Sequence, residues 1–295
     1  MYKKGLGLFF IIFFLCILII PLLASGSNDQ PNNQAEYVMV VQRGKPGRLI
    51  GTVIYENEKI IKIREDDGSE VTVEKDTILS MVKGVRYGSR VIARDPNNSR
   101  SIIGPTARPL GAGQGYLALT VVDLNPVVIA PNFSLGLGGI FTLSAGGIFY
   151  SGETANLFLN GKASLVRGPK RNLSLGAIFL TLPDEHYQGS FGTVYGMGTF
   201  GGQGASLNAG LGFGFSGEGI SGRPMFIIGG ELSASARVKL MIENWTNLQG
   251  FNLTSIGIRF FSKQFALDIN FAIPWSSGGM SLWPFISPAY NFNLK

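Results

Sequence analysis

Along most of the chain, from Asp123 to Lys295, apolar residues occupy every second position of segments that end in polar turns. In Ser206 to Ser216 the odd positions Leu207, Ala209, Leu211, Phe213 and Phe215 are apolar, and the even positions carry only Ser, Asn and Gly. A period of two predicts β-strands with one apolar face. Repeated in this way, segment after segment, it predicts an antiparallel transmembrane β-barrel whose apolar stripe meets lipid.

The strands can be phased individually. Those near Asn132 to Phe149, Ala155 to Leu165, Leu173 to Leu182, Phe191 to Thr199 and Leu207 to Phe215 put odd-numbered apolar residues outward. Later strands switch phase, with Phe226, Val238, Ile256, Leu267 and Ile286 each on the outer face of its strand. Eleven strands follow from Tyr116 onward, whereas a single-chain barrel needs an even number for both ends to lie on one side. Two closures satisfy this: Ser99 to Arg108 supplies a twelfth strand, or it threads the lumen and the barrel closes with ten. Pro105 and Pro109 weaken the strand reading. Tight turns at Ala130-Pro131-Asn132, Gly168-Pro169-Lys170 and Lys263-Gln264 belong on the periplasmic side, so the strand from Tyr116 is expected to descend from the outer surface.

Phase also decides where charges point. In the hairpin centred on Lys263-Gln264, opposite residue numbers sum to 527, which sets Phe260 against Leu267 outside and Arg259 against Asp268 inside. The next hairpin brings Glu231 opposite Lys239 or Arg237, with Glu243 on the same inner face. Lys162 is also expected in the lumen, and Asp123 is a weaker member of the set. An Arg or Lys facing lipid at mid-membrane costs about 2 to 4 kcal/mol, so the lumen is the only cheap place for them. Such pairs either lock strand register or form a constriction that selects solutes.

Charge divides the chain. Glu36 to Pro109 holds 23 charged residues in 74, whereas Leu110 to Lys295 holds 18 in 186. The second region is too poor in charge for a water-bathed exterior. Residues 1–26 read as an export signal: Lys3 and Lys4, an apolar run from Leu8 to Leu23, then Ala24-Ser25-Gly26. A linker is expected over 27–36, a small β-domain over 37–83, a second linker over 84–98 and the barrel over 99–295. Five short strands between Tyr37 and Val82, separated by turns such as Lys45-Pro46-Gly47 and Asp66-Asp67-Gly68, predict an SH3-like or Sm-like module in the first domain.

Other chemistries find little support. The net charge of +6 falls to +4 without Lys3 and Lys4, and no basic cluster interleaved with aromatics indicates nucleic acid. One cysteine, Cys16 in the leader, and one histidine, His186, make a transition-metal site improbable, and no cofactor is expected. His186 sits in the loop Asp184-Glu185-His186-Tyr187, where a solvated side chain is the ordinary state; a rim-site hydrolase is a minor alternative and no catalytic residue is assigned.

The strings Gly104-Pro-Thr-Ala-Arg-Pro-Leu110, Gly113-Gln-Gly-Tyr116, Asn132-Phe-Ser-Leu-Gly-Leu-Gly138, Glu243-Asn-Trp245 and Arg259-Phe-Phe261 resemble a family of bacterial outer-membrane barrel proteins to which no activity is assigned. The resemblance runs from Gly104 to the end, and the preceding β-domain is similar to one that such proteins often carry. It implies a barrel fold and outer-membrane location, with the N-terminal domain in the periplasm, and it assigns no functional residue. The chain departs from the usual aromatic terminus of such barrels, ending Tyr290-Asn-Phe-Asn-Leu-Lys295.

Two classes of function stand open: a narrow channel or small-solute porin, and a non-conducting structural or partner-binding barrel whose periplasmic domain recruits envelope components. A lumen rich in Gly, Ser and Asn favours the first, and a plugged bore favours the second. Expected partners are outer-membrane lipid, the barrel assembly machinery during insertion, and a periplasmic protein that meets residues 37–83.

Overall fold

The computed structural model describes residues 36–124, 127–150, 156–182, 189–216, 219–247, 250, 252–276 and 279–294. The leader expected over 1–26 and the loop Asp184 to Tyr187 lie outside the described residues.

The N-terminal part is an antiparallel sheet of β1 (Tyr37–Gln42), β2 (Leu49–Glu56), β3 (Ile60–Arg64), β4 (Glu70–Glu74), β5 (Ile78–Tyr87) and β6 (Arg90–Ile92), with a short 3-10 turn, Lys75–Thr77, before β5. The strand order is β4-β3-β2-β1-β5-β6. Val38, Val40, Ile61, Ile63 and Val73 alternate along their strands onto one face and form its buried core. The 84–98 segment, expected as a linker, instead completes β5, supplies β6 and then turns into the barrel. Three contacts fix the sheet to the barrel end: Arg90 Nη1 donates to Ala234 O at 3.2 Å, Ala93 N donates to Ala236 O at 3.0 Å, and the Tyr87 ring lies over Gly204, where a Cβ would meet it at 2.2 Å.

The rest is a closed antiparallel β-barrel of twelve strands. They are β7 (Gln114–Val122), β8 (Val128–Leu137), β9 (Phe141–Tyr150), β10 (Asn156–Arg167), β11 (Arg171–Leu182), β12 (Gly189–Gly201), β13 (Ala205–Ser216), β14 (Gly219–Ser235), β15 (Val238–Asn247), β16 (Asn252–Phe261), β17 (Phe265–Ser276) and β19 (Trp283–Asn293), with the two-residue β18 (Gly279–Met280) paired to the end of β17. Each strand pairs with its sequence neighbour, and β19 closes the ring on β7 through pairs such as Ala289↔Ala118 and Asn291↔Tyr116. Closure leaves no edge to solvate, which a bilayer demands of any sheet that crosses it. Leu117, Leu159, Leu175, Ile242, Ile258 and Ile269 are exposed on the outer wall, while Ser134, Lys162, Ser174, Glu243 and Ser255 are buried within. A soluble protein does not leave such a surface uncovered, so lipid is the solvent of the outer wall.

Twelve strands arise differently from the sequence reading. The run from Asn132 to Phe149 is not one strand but the hairpin β8–β9, turning at Gly138 (φ 60°) and Gly139 (φ 68°). Leu137 pairs with Phe141, so odd residues face lipid on both strands and the alternation passes through the turn unbroken. Ser99 to Arg108 is not a wall strand and threads the lumen.

Three further details change. On β12 the phase is reversed: Tyr195, Met197 and Thr199 are buried inside, and Gly196 and Gly198 face out beneath Leu175, Leu173 and Phe200. Ala130-Pro131-Asn132 lies inside β8 and is not a turn. The short connections at 138–140, 168–170, 202–204, 236–237 and 262–264 lie at the end where Gly113 enters β7, so β7 ascends from the short-turn end.

Candidate functional site

Residues 93–112 enter the barrel at its short-turn end, rise to a tip at Ile102-Ile103-Gly104, and return to leave beside β8. The ascending and descending limbs hold each other: Thr106 N donates to Ser99 O at 3.0 Å and Ser101 N to Gly104 O at 2.9 Å. Pro105 and Pro109 cannot donate in a wall ladder, but a looped plug does not need them to. At the exit Gly136 has no side chain, and a Cβ there would stand 2.2 Å from Gly111 O and 2.7 Å from Leu110 O. Only glycine lets the plug backbone lie against β8 at that point.

Antiparallel register builds the ionic part of the wall. Lys239 pairs with Arg259, Arg259 with Asp268, and Asp268 with Ser287, so the four form one inward row across β15, β16, β17 and β19. Arg259 grips Asp268 through two bonds, Nε to Oδ1 at 2.7 Å and Nη2 to Oδ2 at 2.9 Å. Its remaining donors reach the plug: Nη1 to Asp95 Oδ2 at 3.0 Å and to Asn97 O at 3.1 Å, and Nη2 to Ser101 O at 2.8 Å. Asp95 also receives Lys239 Nζ at 2.7 Å, and Lys239 reaches Glu231 at 3.0 Å. From the plug, Arg100 meets Asp268 at 3.0 Å and Arg108 meets Glu231 at 3.4 Å.

Three further wall residues hold the plug by its backbone. Lys162 Nζ donates to three plug carbonyls, Ser99 O, Thr106 O and Arg108 O, at 3.0, 2.7 and 2.8 Å. Glu243 does the converse, accepting Ile102 N at 3.1 Å and Gly104 N at 2.8 Å. Thr199 Oγ1 accepts Ala107 N at 2.9 Å. Lys162 and Glu243 are desolvated and satisfied by these contacts, which makes them exacting: a buried charge that loses its partner costs several kcal/mol.

Of the sequence candidates, Lys162, Glu231, Lys239, Glu243, Arg259 and Asp268 are thus gathered around one buried segment. Two are elsewhere. Arg237 is exposed in the two-residue turn between β14 and β15, because the register sets Ser233 against Lys239 and leaves Arg237 beyond the ladder. Asp123 is exposed past the end of β7, its backbone N–H bonded to Pro284 O at 3.0 Å. The plug partners Asp95, Arg100 and Arg108 were not among the candidates; three charges in a stretch punctuated by Pro96, Pro105 and Pro109, next to a wall that demands counter-charges, is the signal that marks them.

No protein-family model matches the chain, and no curated protein sequence does either. Among solved structures, the chain is similar to KdgM porin in complex with disordered oligogalacturonate (6% identity, 61% of this chain and 99% of that one, TM-score 0.49). It is similar to outer membrane phospholipase A from Escherichia coli (11% identity, 67% and 96%, TM-score 0.41). It is also similar to a loop-deleted OmpT of Vibrio cholerae, described as an outer membrane protein (10% identity, 88% and 97%, TM-score 0.35). The assignment of the fold rests on the closed ladder and its apolar exterior, which make this chain a twelve-stranded transmembrane β-barrel with a segment of its own N-terminal region in the bore.

Proposed function

We propose that the protein is a non-conducting outer-membrane barrel that anchors its N-terminal sheet, on the periplasmic side, as a docking module for another envelope component. The observation that carries this reading is the occupied bore: 93–112 is bonded to the wall by Lys162 of β10, Glu243 of β15 and Arg259 of β16. The short turns share one end with the sheet, which supports a periplasmic position for it. The meander order β4-β3-β2-β1-β5, with a 3-10 turn before β5, supports an SH3-like or Sm-like reading of the module. Liposome swelling tests the proposal. Vesicles holding the intact chain should not swell in small sugars, and those holding a chain with 96–107 replaced by a short Gly-Ser link should. Swelling with the intact chain would overturn it.

A second reading, a channel that conducts when the plug withdraws, has one observation in its favour. Asn97, Ser101, Ser255 and Asn270 bury side-chain polar atoms that have no protein hydrogen-bond partner at the plug and wall. Each such group costs about 1 to 3 kcal/mol, so hydrating them on withdrawal offsets part of the broken network.

A further inference from the structure

Above the plug tip the lumen changes chemistry. Ile102 is buried against Met241, Ala272 and Phe285, whereas Ile103 beside it is 48% exposed. Its neighbours Ile102, Gly104 and Pro105 are buried inside the barrel, so the space that Ile103 faces is the lumen beyond the tip. The wall positions bordering that space continue the inward registers of their strands, and they are Phe158, Ile178, Met225, Trp245, Leu253 and Trp283, all half-buried. An inward face meeting water in a barrel is ordinarily polar; here the larger side chains are aliphatic and aromatic, with Thr193 beside Ile178, Asn247 beside Met225 and Asn132 near Phe158 as the polar members.

Tyr195 and Asn160, polar groups on the same part of the wall, are bonded to each other at 2.9 Å. Beneath the tip, Glu243 is taken up by Ile102 N, Gly104 N and the Trp245 indole N–H, so the floor presents Ile103 rather than a charge. From Glu243 to the end of β15 at Asn247 the wall rises four residues, about 13 Å of strand. The geometry points to a blind apolar cup that binds the hydrocarbon chain of a single-chain amphiphile, tail down onto Ile103, from the end of the barrel opposite the N-terminal sheet. A sugar would find most of its hydroxyls facing carbon. A chain of about eight to ten methylenes fills the depth, with each buried CH2 contributing about 0.8 kcal/mol.

The site supplies its own reporters. Of the three tryptophans, Trp245 and Trp283 border the cup and Trp275 is exposed outside. The full chain carrying Trp275→Phe, in lipid nanodiscs, is titrated with 10-bromodecanoate, whose bromine quenches indole emission on contact. Saturable quenching is expected, and Ile103→Asp should weaken the half-saturation point at least tenfold. Because Ile103 is exposed, that variant should keep the heat-modifiable mobility of the folded barrel. Quenching that rises without saturation, as bilayer partitioning gives, or saturable quenching that Ile103→Asp leaves unchanged, would overturn the proposal. Neither result depends on whether the bore conducts.

Discussion

Arg259 and Asp268 stand directly opposite each other on β16 and β17 and form a two-bond ion pair, both side chains wholly removed from solvent. The pair belongs to the wall, but Arg259 spends its other donors on Asp95 and on plug carbonyls. It therefore couples strand register to plug position.

Removing one member leaves a buried charge facing fewer partners. Asp268→Ala strands Arg100 and half of Arg259, and is expected to lower barrel stability by about 3 to 5 kcal/mol. Urea unfolding of the reconstituted protein, followed by tryptophan emission, measures it. A shift below about 1 kcal/mol would show that the pair is solvated and the lumen wet.

Lys162→Met should act on the plug and spare the wall. Three carbonyls lose their donor, each loss worth about 1 to 3 kcal/mol, while the β9, β10 and β11 ladders are untouched. Hydrogen exchange is expected to quicken across 99–108 with strand amides unchanged. Equal quickening in both would place Lys162 in wall stability instead.

Gly136→Val inserts a side chain where the plug backbone already lies in contact. Displacement of Leu110 and Gly111 is expected, read as protease sensitivity at 105–112 from the short-turn side. By contrast Arg237→Ala, in an exposed turn, should change stability by no more than about 0.5 kcal/mol.

The N-terminal sheet carries a separate pH dependence. Hydrogen bonds from Lys75 and Lys83 hold the Glu56 carboxyl below its ordinary value. A depressed carboxyl stabilises the fold above the unfolded pKa and loses that contribution as pH falls through the folded one. The pairs are partly exposed, so the effect is small, about 0.2 to 1 kcal/mol. Glu56→Gln should flatten the acid limb of the sheet's stability curve below about pH 4.5, where protonation of Glu56 otherwise occurs; an unchanged limb would assign it to other carboxylates.

The period of two made the barrel, its lipid face and the Arg259–Asp268 register legible in the sequence, because a hairpin with an odd residue sum switches phase and so announces its turn. In the Leu137–Phe141 hairpin the alternation passes unbroken through Gly138, Gly139 and Ile140, with no charged or proline residue to mark the turn, so the period of two reads as one long strand there. On β12, Gly at every outward position but Val194 and Phe200 between 192 and 200 made the larger residues look lipid-facing, although Leu173, Leu175 and Phe200 supply the apolar cover from their own positions. The plug was legible only as an ambiguity at Ser99 to Arg108. Its partners are brought together by register and tertiary threading across more than a hundred residues, as with Asp95 and Lys239, 144 apart, and no local pattern encodes that.

The occupied bore is tested most directly by a disulfide between plug and wall. Ala107 N and Thr199 Oγ1 are 2.9 Å apart and both residues are buried, so Ala107→Cys with Thr199→Cys sets two buried cysteines on adjoining plug and wall positions of the folded protein. Oxidised membranes should yield the linked 107–199 peptide by mass spectrometry, with neither thiol open to a membrane-impermeant maleimide before unfolding. A folded, heat-modifiable barrel in which both cysteines remain reduced and react with the maleimide would contradict the account.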